Sequence, residues 1–187
     1  MISVEFDLSD HDKPSRLELL VRVLFFFPVY IMFTMSTGVL AIFYLANFVL
    51  VLILGKRSRK LSDLTVHTAA YLGWALSYFW CATDSRPGLV PILDTMHAGF
   101  RYNYKERAYR HELLIRLVLS PIYLVLFVLS FAIGFLILMP LSALIILLAG
   151  SRIKGLASLS AQGANACTQM WCYLFLATDE RPFLSAG

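Results

Sequence analysis

Two long apolar runs, neither of which contains a charged residue, constrain the fold of this chain more than any other feature. Residues 23–54 form a run of 32 residues, and residues 117–149 form a run of 33. A helix that crosses the hydrocarbon core of a bilayer needs only about 20 apolar residues. Hydrophobic residues make up 59% of the chain and charged residues 15%, against about 45–50% and about 25% in soluble domains. The sequence therefore predicts an all-α integral membrane protein.

The chain also contains one sequence unit twice. The motif Arg-x-Glu-Leu-Leu-x-Arg occurs at residues 16–22 and 110–116, and Ala-Thr-Asp-x-Arg-Pro occurs at residues 82–87 and 177–182. Only small insertions separate the copies, because the offset stays between 93 and 95 residues. This pattern predicts a tandem pseudo-symmetric repeat. The expected segments are a polar N-terminal segment (1–15), membrane repeat 1 (16–87), a polar linker (88–109), membrane repeat 2 (110–182) and a C-terminal tail (183–187).

Each apolar run is too long for one straight crossing. A helix of 32 residues spans about 48 Å, whereas the hydrocarbon core is about 30 Å thick. Residues 36–38 (Ser-Thr-Gly) interrupt the first run, and Ser130 with Gly134 interrupts the second, with small residues that favour a turn. We therefore predict that each unit is a long apolar helical hairpin or a broken helix. A partly polar third element, at residues 64–82 and 156–177, follows as an interfacial or membrane helix.

The distribution of Lys and Arg favours one of three layouts, because basic residues in short loops stay in the cytoplasm. Hairpins with an interfacial third element place all 16 basic residues on one side. A broken helix with a returning third element divides them ten to six, and three crossings per unit divide them eight to eight. The first layout is preferred. It and the second both predict parallel repeats, related by an axis along the membrane normal, in a multi-pass protein with cytoplasmic termini.

Basic residues at the ends of each unit are candidate contacts for lipid or for a partner protein. The second Arg of the first motif can extend along its apolar stem to headgroup phosphates. A basic link follows Gly55 and Gly150, which are expected to end helices. A helix start held at the interface and a topology-setting loop are the structural alternatives. The predicted contacts are Arg22, Arg116, Lys56, Arg57, Arg59, Lys60, Arg152 and Lys154.

The acidic residues predict a structural clasp. In both copies of the first motif, Glu and the second Arg are four residues apart and can pair on one helical face. The Thr-Asp-x-Arg-Pro sequence is typical of a helix stop and turn. We expect each Asp to pair with an Arg of the first helix of its unit and so close that unit. The predicted clasp residues are Glu18, Glu112, Asp84, Arg86, Asp179 and Arg181.

A polar stripe marks the third element of the second copy. Gln162, Asn165 and Gln169 have a spacing that places them on one helical face. Packing against neighbouring helices is the preferred interpretation, and a cavity wall is the alternative.

Catalytic and metal-binding patterns are not recognisable in the sequence. The repeated positions do not bring a nucleophile, a base and an orienting group together. Three unpatterned cysteines predict neither a disulfide framework nor a zinc site. We therefore expect no enzyme, cofactor or metal, and no nucleic-acid partner.

The two motifs, the Pro-x-Tyr at residues 28–30 and 121–123, and the Gly with its basic link together resemble a bacterial membrane family. That family is called domain of unknown function 4389. The resemblance covers residues 16–87 and 110–182 as two tandem copies. It implies a protein of the bacterial cytoplasmic (inner) membrane and brings no activity with it.

These observations predict a non-enzymatic inner-membrane accessory or scaffold protein that docks to a larger membrane complex or organises lipid. Its expected partners are anionic membrane lipids and other membrane protein subunits. The alternative is a small transporter, channel or lipid-handling protein with a path between the two repeats. The duplication and the polar stripe favour that alternative.

Overall fold

A computed structural model describes residues 3–6, 15–88, 98–101 and 104–179. Helices dominate this part of the chain, so the predicted helical class is confirmed; a small two-stranded antiparallel sheet accompanies them. In chain order, the elements are strand β1 (Ser3–Phe6), helix α1 (Arg16–Leu54), helix α2 (Arg59–Phe79), strand β2 (Ala98–Arg101), helix α3 (Arg110–Ile133), a π-helical turn (Gly134–Leu138), helix α4 (Met139–Ala149) and helix α5 (Lys154–Leu174).

Two long helical segments carry the apolar runs. Helix α1 has 39 residues and a length of about 58 Å. Helix α3, the π-helical turn and α4 continue one another over residues 110–149. Both segments are long and apolar enough to cross a membrane, judged by length and composition. Only 17% of the residues in the most apolar window of each segment are buried, so most of their apolar side chains face outward.

The predicted hairpins are wrong, because the residues expected to turn the chain are helical. The Thr37 hydroxyl donates to the carbonyl oxygen of Phe33 at 2.8 Å, so its polar group is satisfied on the backbone of α1 itself. Gly134 has helical angles of φ −58° and ψ −49°. A Cβ at this glycine would overlap the Trp80 indole. Gly134 therefore permits close packing between helices and does not turn the chain.

Helices α2 and α5 form the centre of the protein. They cross where Gly73 of α2 lies against Thr168 and Ala164 of α5. The aromatic side chains of Tyr71 and Tyr78 are fully buried in the core around this crossing. The third elements therefore pack against each other at the centre, with α2 largely buried and α5 exposed along one side.

The two long segments run in opposite directions along the bundle, while the predicted relation of the units by an axis along the membrane normal stays a prediction. Helix α1 ends where α3 begins, because the backbone N–H of Ala108 donates to the carbonyl oxygen of Gly55 at 3.1 Å. Helix α4 ends where α1 begins, because Gly150 lies beside the Arg16 side chain. The bundle thus has end A, where α1 begins and α4 ends, and end B, where α1 ends and α3 begins.

The substitution Gly73→Ala tests the packing at the centre of the bundle. Its Cβ would overlap the Thr168 hydroxyl, and overpacking of this kind costs about 1–3 kcal/mol. We expect a lower midpoint of thermal unfolding for the detergent-solubilised protein. Gly155→Ala is the matched control, because nothing lies within 4 Å of its Cβ position. Adding Thr168→Ala should recover most of the loss; an unchanged midpoint for Gly73→Ala would contradict close packing of α2 on α5.

Candidate functional site

Each end of the bundle contains a buried cluster of ion pairs. Both clusters combine carboxylates with guanidinium groups from different helices, and a tyrosine belongs to each. Cluster A, at end A, consists of Glu18, Arg22, Tyr78, Asp84, Arg86 and Arg152. Cluster B, at end B, consists of Arg57, Glu112, Arg116, Tyr173 and Asp179.

A tight turn after α2 brings Asp84 back to the start of α1. The backbone N–H of Ala82 donates to the carbonyl oxygen of Ser77 at 2.9 Å. This hydrogen bond is typical of the Schellman motif, which ends helices. Cys81 has a left-handed φ of 62°, at the position where that motif usually has glycine. The same turn follows α5, where Leu176 has a φ of 63°. The chain therefore reverses three residues before each Asp, which places both carboxylates against the long helices.

Asp84 is the centre of cluster A because it lies between two guanidinium groups. Its Oδ1 accepts hydrogen bonds from Arg22 of α1 and from Nη2 of Arg152, the latter at 2.7 Å. Arg22 also donates to the carbonyl oxygen of Thr83 at 2.9 Å. Buried charges are tolerated when they are paired and hydrogen-bonded. Asp84 therefore connects the start of α1, the end of α2 and the link before α5.

Glu18 pairs with Arg86, so the predicted pair of Glu18 with Arg22 on one face of α1 is wrong. Its carboxylate accepts two hydrogen bonds from Arg86, each 2.9 Å long, and one from the Tyr78 hydroxyl at 2.6 Å. This pairing raises the pKa of the Arg86 guanidinium above its usual value. Arg22 lies over the Tyr78 ring, with 4.7 Å between its Cζ and the ring centroid. Tyr78 thus contacts Glu18 and Arg22, two of the three charges of the first motif.

Cluster B repeats the contacts of Glu18, Arg22, Tyr78 and Asp84 with residues 94–95 positions further along the chain, and its second guanidinium is Arg57, 95 residues before Arg152. Asp179 accepts hydrogen bonds from Arg116 of α3, at 3.0 Å, and from Arg57. Arg116 lies over the Tyr173 ring at 4.2 Å from its centroid. The Tyr173 hydroxyl donates to Glu112 at 3.2 Å. In each cluster, one Asp therefore bonds an Arg of its own unit and an Arg of the other unit.

The Asp–Arg contacts are those that the clasp hypothesis requires. Asp84 bonds Arg22, and Asp179 bonds Arg116. Closure of each unit by these contacts stays a prediction. Of the predicted clasp residues, Arg181 lies outside the described part of the chain.

Half of the residues predicted to contact lipid are buried in the clusters. The side chains of Arg22 and Arg57 are each 2% exposed, so the prediction that they reach lipid headgroups is wrong. Arg116 and Arg152 are also engaged by an Asp. The reason is that a nearby carboxylate stabilises a buried guanidinium that would otherwise extend to the interface. The predicted contacts that are exposed are Lys56, Arg59, Lys60 and Lys154.

One residue of the polar stripe of α5, Gln162, is exposed. Gly163 lies against Trp80, and Ala164 faces α2. Gln162 is exposed and donates to Ser158 of the same helix at 3.2 Å. The other two stripe residues are half-buried. Small residues make these helix contacts, and the interpretation of the stripe as a packing surface stays a prediction.

Two features of the clusters were not predicted from the sequence. One is the tyrosine in each cluster, and the other is the bond between the Asp of one unit and an Arg of the other unit. Tyr78 and Tyr173 stand 95 residues apart, each six residues before its Asp. The repeat therefore contained a signal that could have identified them. Arg57 and Arg152 are also equivalent, but no pattern indicates which Asp each one meets.

The charged groups of cluster A are engaged with one another and connect different helices. The described carboxylates of cluster A are engaged by guanidinium or hydroxyl donors. Burial raises the pKa of the Cys81 thiol next to cluster A above its usual value. Within the described ranges, no group of three or more His, Cys, Asp or Glu side chains could hold a metal ion.

A family comparison identifies part of the chain. Residues 16–89 match the family described as Domain of unknown function (DUF4389). The matched segment contains α1, α2, Asp84 and Arg86. No curated protein and no solved structure matches the chain.

The substitution Asp84→Asn tests whether cluster A stabilises the bundle. It leaves two largely buried guanidinium groups without their shared counter-charge, and breaking a buried pair costs about 3–5 kcal/mol. We expect a clearly lower midpoint of thermal unfolding in detergent. Asp63→Asn is the control, because its pair with Arg59 is exposed, at 40% and 78%, and such pairs contribute about 0–1 kcal/mol. Equal effects of the two substitutions would contradict a stabilising role for Asp84.

Proposed function

Residues 16–89 belong to the DUF4389 family, and from this premise we propose that the chain is a non-catalytic membrane scaffold built from two such units. The contacts that recur between cluster A and cluster B support a second unit at residues 110–182. The left-handed turns at Cys81 and Leu176 also lie at equivalent positions. Gly73 and Thr168, which touch at the crossing of α2 and α5, are equivalent too. An approximate two-fold axis through this contact would relate the units.

The outer surface of the long segments supports insertion into a membrane. Large side chains such as Leu24 and Leu136 are 77% and 76% exposed, and similar residues cover most of α1, α3 and α4. Extensive exposed apolar surface marks a membrane or protein contact. Gln162 of α5 is an exposed polar side chain outside these segments. The protein thus has an apolar layer, formed by α1, α3 and α4, and a more polar face on α5.

The connection between the units favours an apolar layer that lies along the membrane plane. The described chain leaves end A at Gly88 and is at end B by Tyr104, whose hydroxyl donates to the carbonyl oxygen of Arg57 at 2.7 Å. The residues between them include Asp94 and Arg101. Charged groups are costly in the hydrocarbon core, so this connection would stay on one side of the membrane. Ends A and B would then lie on the same side, in contrast to a multi-pass layout.

The distribution of basic residues agrees with this placement. All 16 Lys and Arg residues would lie on one face of the membrane, as the preference of basic residues for the cytoplasm requires. The charge count that favoured hairpins in the sequence therefore also favours an in-plane apolar layer. We propose the cytoplasmic face of the bacterial inner membrane, with both termini in the cytoplasm.

The apolar layer and the exposed polar and basic residues agree best with a scaffold role. The apolar layer would occupy one leaflet, while Gln162 and the exposed basic residues Arg59 and Lys154 would face the cytoplasm and a partner subunit. The buried ion pairs fix the relative positions of the helices and so provide a rigid platform. A transport path between the units has less support, because Gly73 and Thr168 are in direct contact at the place where it would run.

Photo-crosslinking in native membranes tests the scaffold role. A benzophenone amino acid at Gln162 is expected to give discrete adducts with another protein, because this side chain would face the partner. The same amino acid at Leu136 is the control, because that position would face lipid and should give no protein adduct. The readout is the mass and identity of the crosslinked bands after purification.

Two outcomes would count against the proposal. A protein that is purified alone and monodisperse in mild detergent, with equal crosslinking at both positions, would contradict the scaffold role. Release of the protein from membranes by alkaline carbonate would contradict membrane insertion itself.

A further inference from the structure

A groove beside cluster B has an apolar body and a basic rim. It has a volume of about 500 Å³ and lies between the last third of α1 and the first turns of α3. Cavities of roughly 300–1,000 Å³ typically hold small ligands. Its lining includes the apolar Phe48, Leu52 and Leu117 and the basic Arg110, His111 and Arg116.

The basic side chains of the groove keep hydrogen-bond donors available. Arg110 uses Nη2 to donate to the carbonyl oxygen of Ile53 at 2.7 Å, which leaves its other guanidinium donors for a ligand. His111 is exposed at the same edge. The side chain of Arg116 is 5% exposed and bonded to Asp179, so the donors offered to a ligand are those of Arg110 and His111. The rim is therefore suited to an anionic group.

We propose that this groove binds one anionic glycerophospholipid. The lipid phosphate would meet Arg110 and His111 at end B, and an acyl chain would lie along Phe48, Leu52 and Leu117. Basic pockets between membrane helices bind anionic headgroups in this way. The assignment rests on the proposed membrane function, because it requires end B to lie at the level of the headgroups.

The other end of the bundle provides matched control positions. Ser120 in the groove precedes the proline of the second unit, and Phe27 occupies the equivalent position in the first unit. Arg110 and His111 correspond to Arg16 and Leu17. End A therefore lacks the imidazole and has a large ring where the groove has a small hydroxyl. We infer that the lipid binds at end B.

Native mass spectrometry of the full chain tests the assignment. The protein, purified in mild detergent, is offered phosphatidylglycerol, phosphatidylcholine or glycerol 3-phosphate. We expect one retained phosphatidylglycerol per chain. The double substitution Arg110→Gln/His111→Gln should weaken this binding about tenfold, because loss of charge-assisted hydrogen bonds of about 1.5 kcal/mol corresponds to that factor. Ser120→Phe should do the same by filling the groove, and Arg16→Gln should leave binding unchanged.

The possible outcomes distinguish a failure of the lipid site from a failure of the proposed membrane function. Equal retention of both lipids, or an equal loss with Arg16→Gln, would overturn the lipid site. Glycerol 3-phosphate that binds as tightly as phosphatidylglycerol would also overturn it, because the apolar walls would then contribute nothing. Release of the unsubstituted protein by alkaline carbonate would instead overturn membrane insertion.

Discussion

Two buried Arg–Asp–Arg bridges determine how the rest of this structure is arranged. Asp84 and Asp179 each hold a guanidinium from a long helix and a second one from the link of the other unit. A buried guanidinium without a carboxylate would be strongly destabilising, so the helices that carry these groups must end where the carboxylate is. The bridges therefore fix which helix ends meet.

Each Asp binds an Arg from the other unit, and this pairing determines the relative direction of the two long segments. Arg57 follows α1 and meets Asp179 beyond α5, and Arg152 follows α4 and meets Asp84 beyond α2. The end of one unit's long helix must therefore lie at the start of the other's, which makes the two long segments antiparallel. The described chain accordingly leaves end A at Gly88 and is at end B by Tyr104.

The sequence predicted the elements of this fold better than their arrangement. Gly55 and Gly150 end their helices with left-handed φ angles of 66° and 65°, as their position before the basic links indicated. The hairpins failed because Thr37 can donate to its own helix and Gly134 can pack against Trp80. Small residues in an apolar run indicate a turn and a helix contact equally well.

Candidate site residues were recognisable from the repeat, but their partners were not. The spacing of four residues favoured Glu18 with Arg22, whereas Arg86 and Asp84, more than 60 residues away, take those roles. Long-range pairing of this kind depends on tertiary structure. A basic link that looks like a topology signal, as at Arg57, can therefore be a buried part of the core.

Single cysteines at Ser58 and Ser85 test the placement of the two ends most directly. The native Cys81, Cys167 and Cys172 are buried and would be replaced by alanine. A membrane-impermeant maleimide is applied to spheroplasts and to inverted vesicles, with Leu136→Cys as the lipid-facing control. The account predicts that both cysteines react only in inverted vesicles and that the control is protected in both preparations. Reaction of Ser58→Cys and Ser85→Cys from opposite sides of the membrane would contradict it.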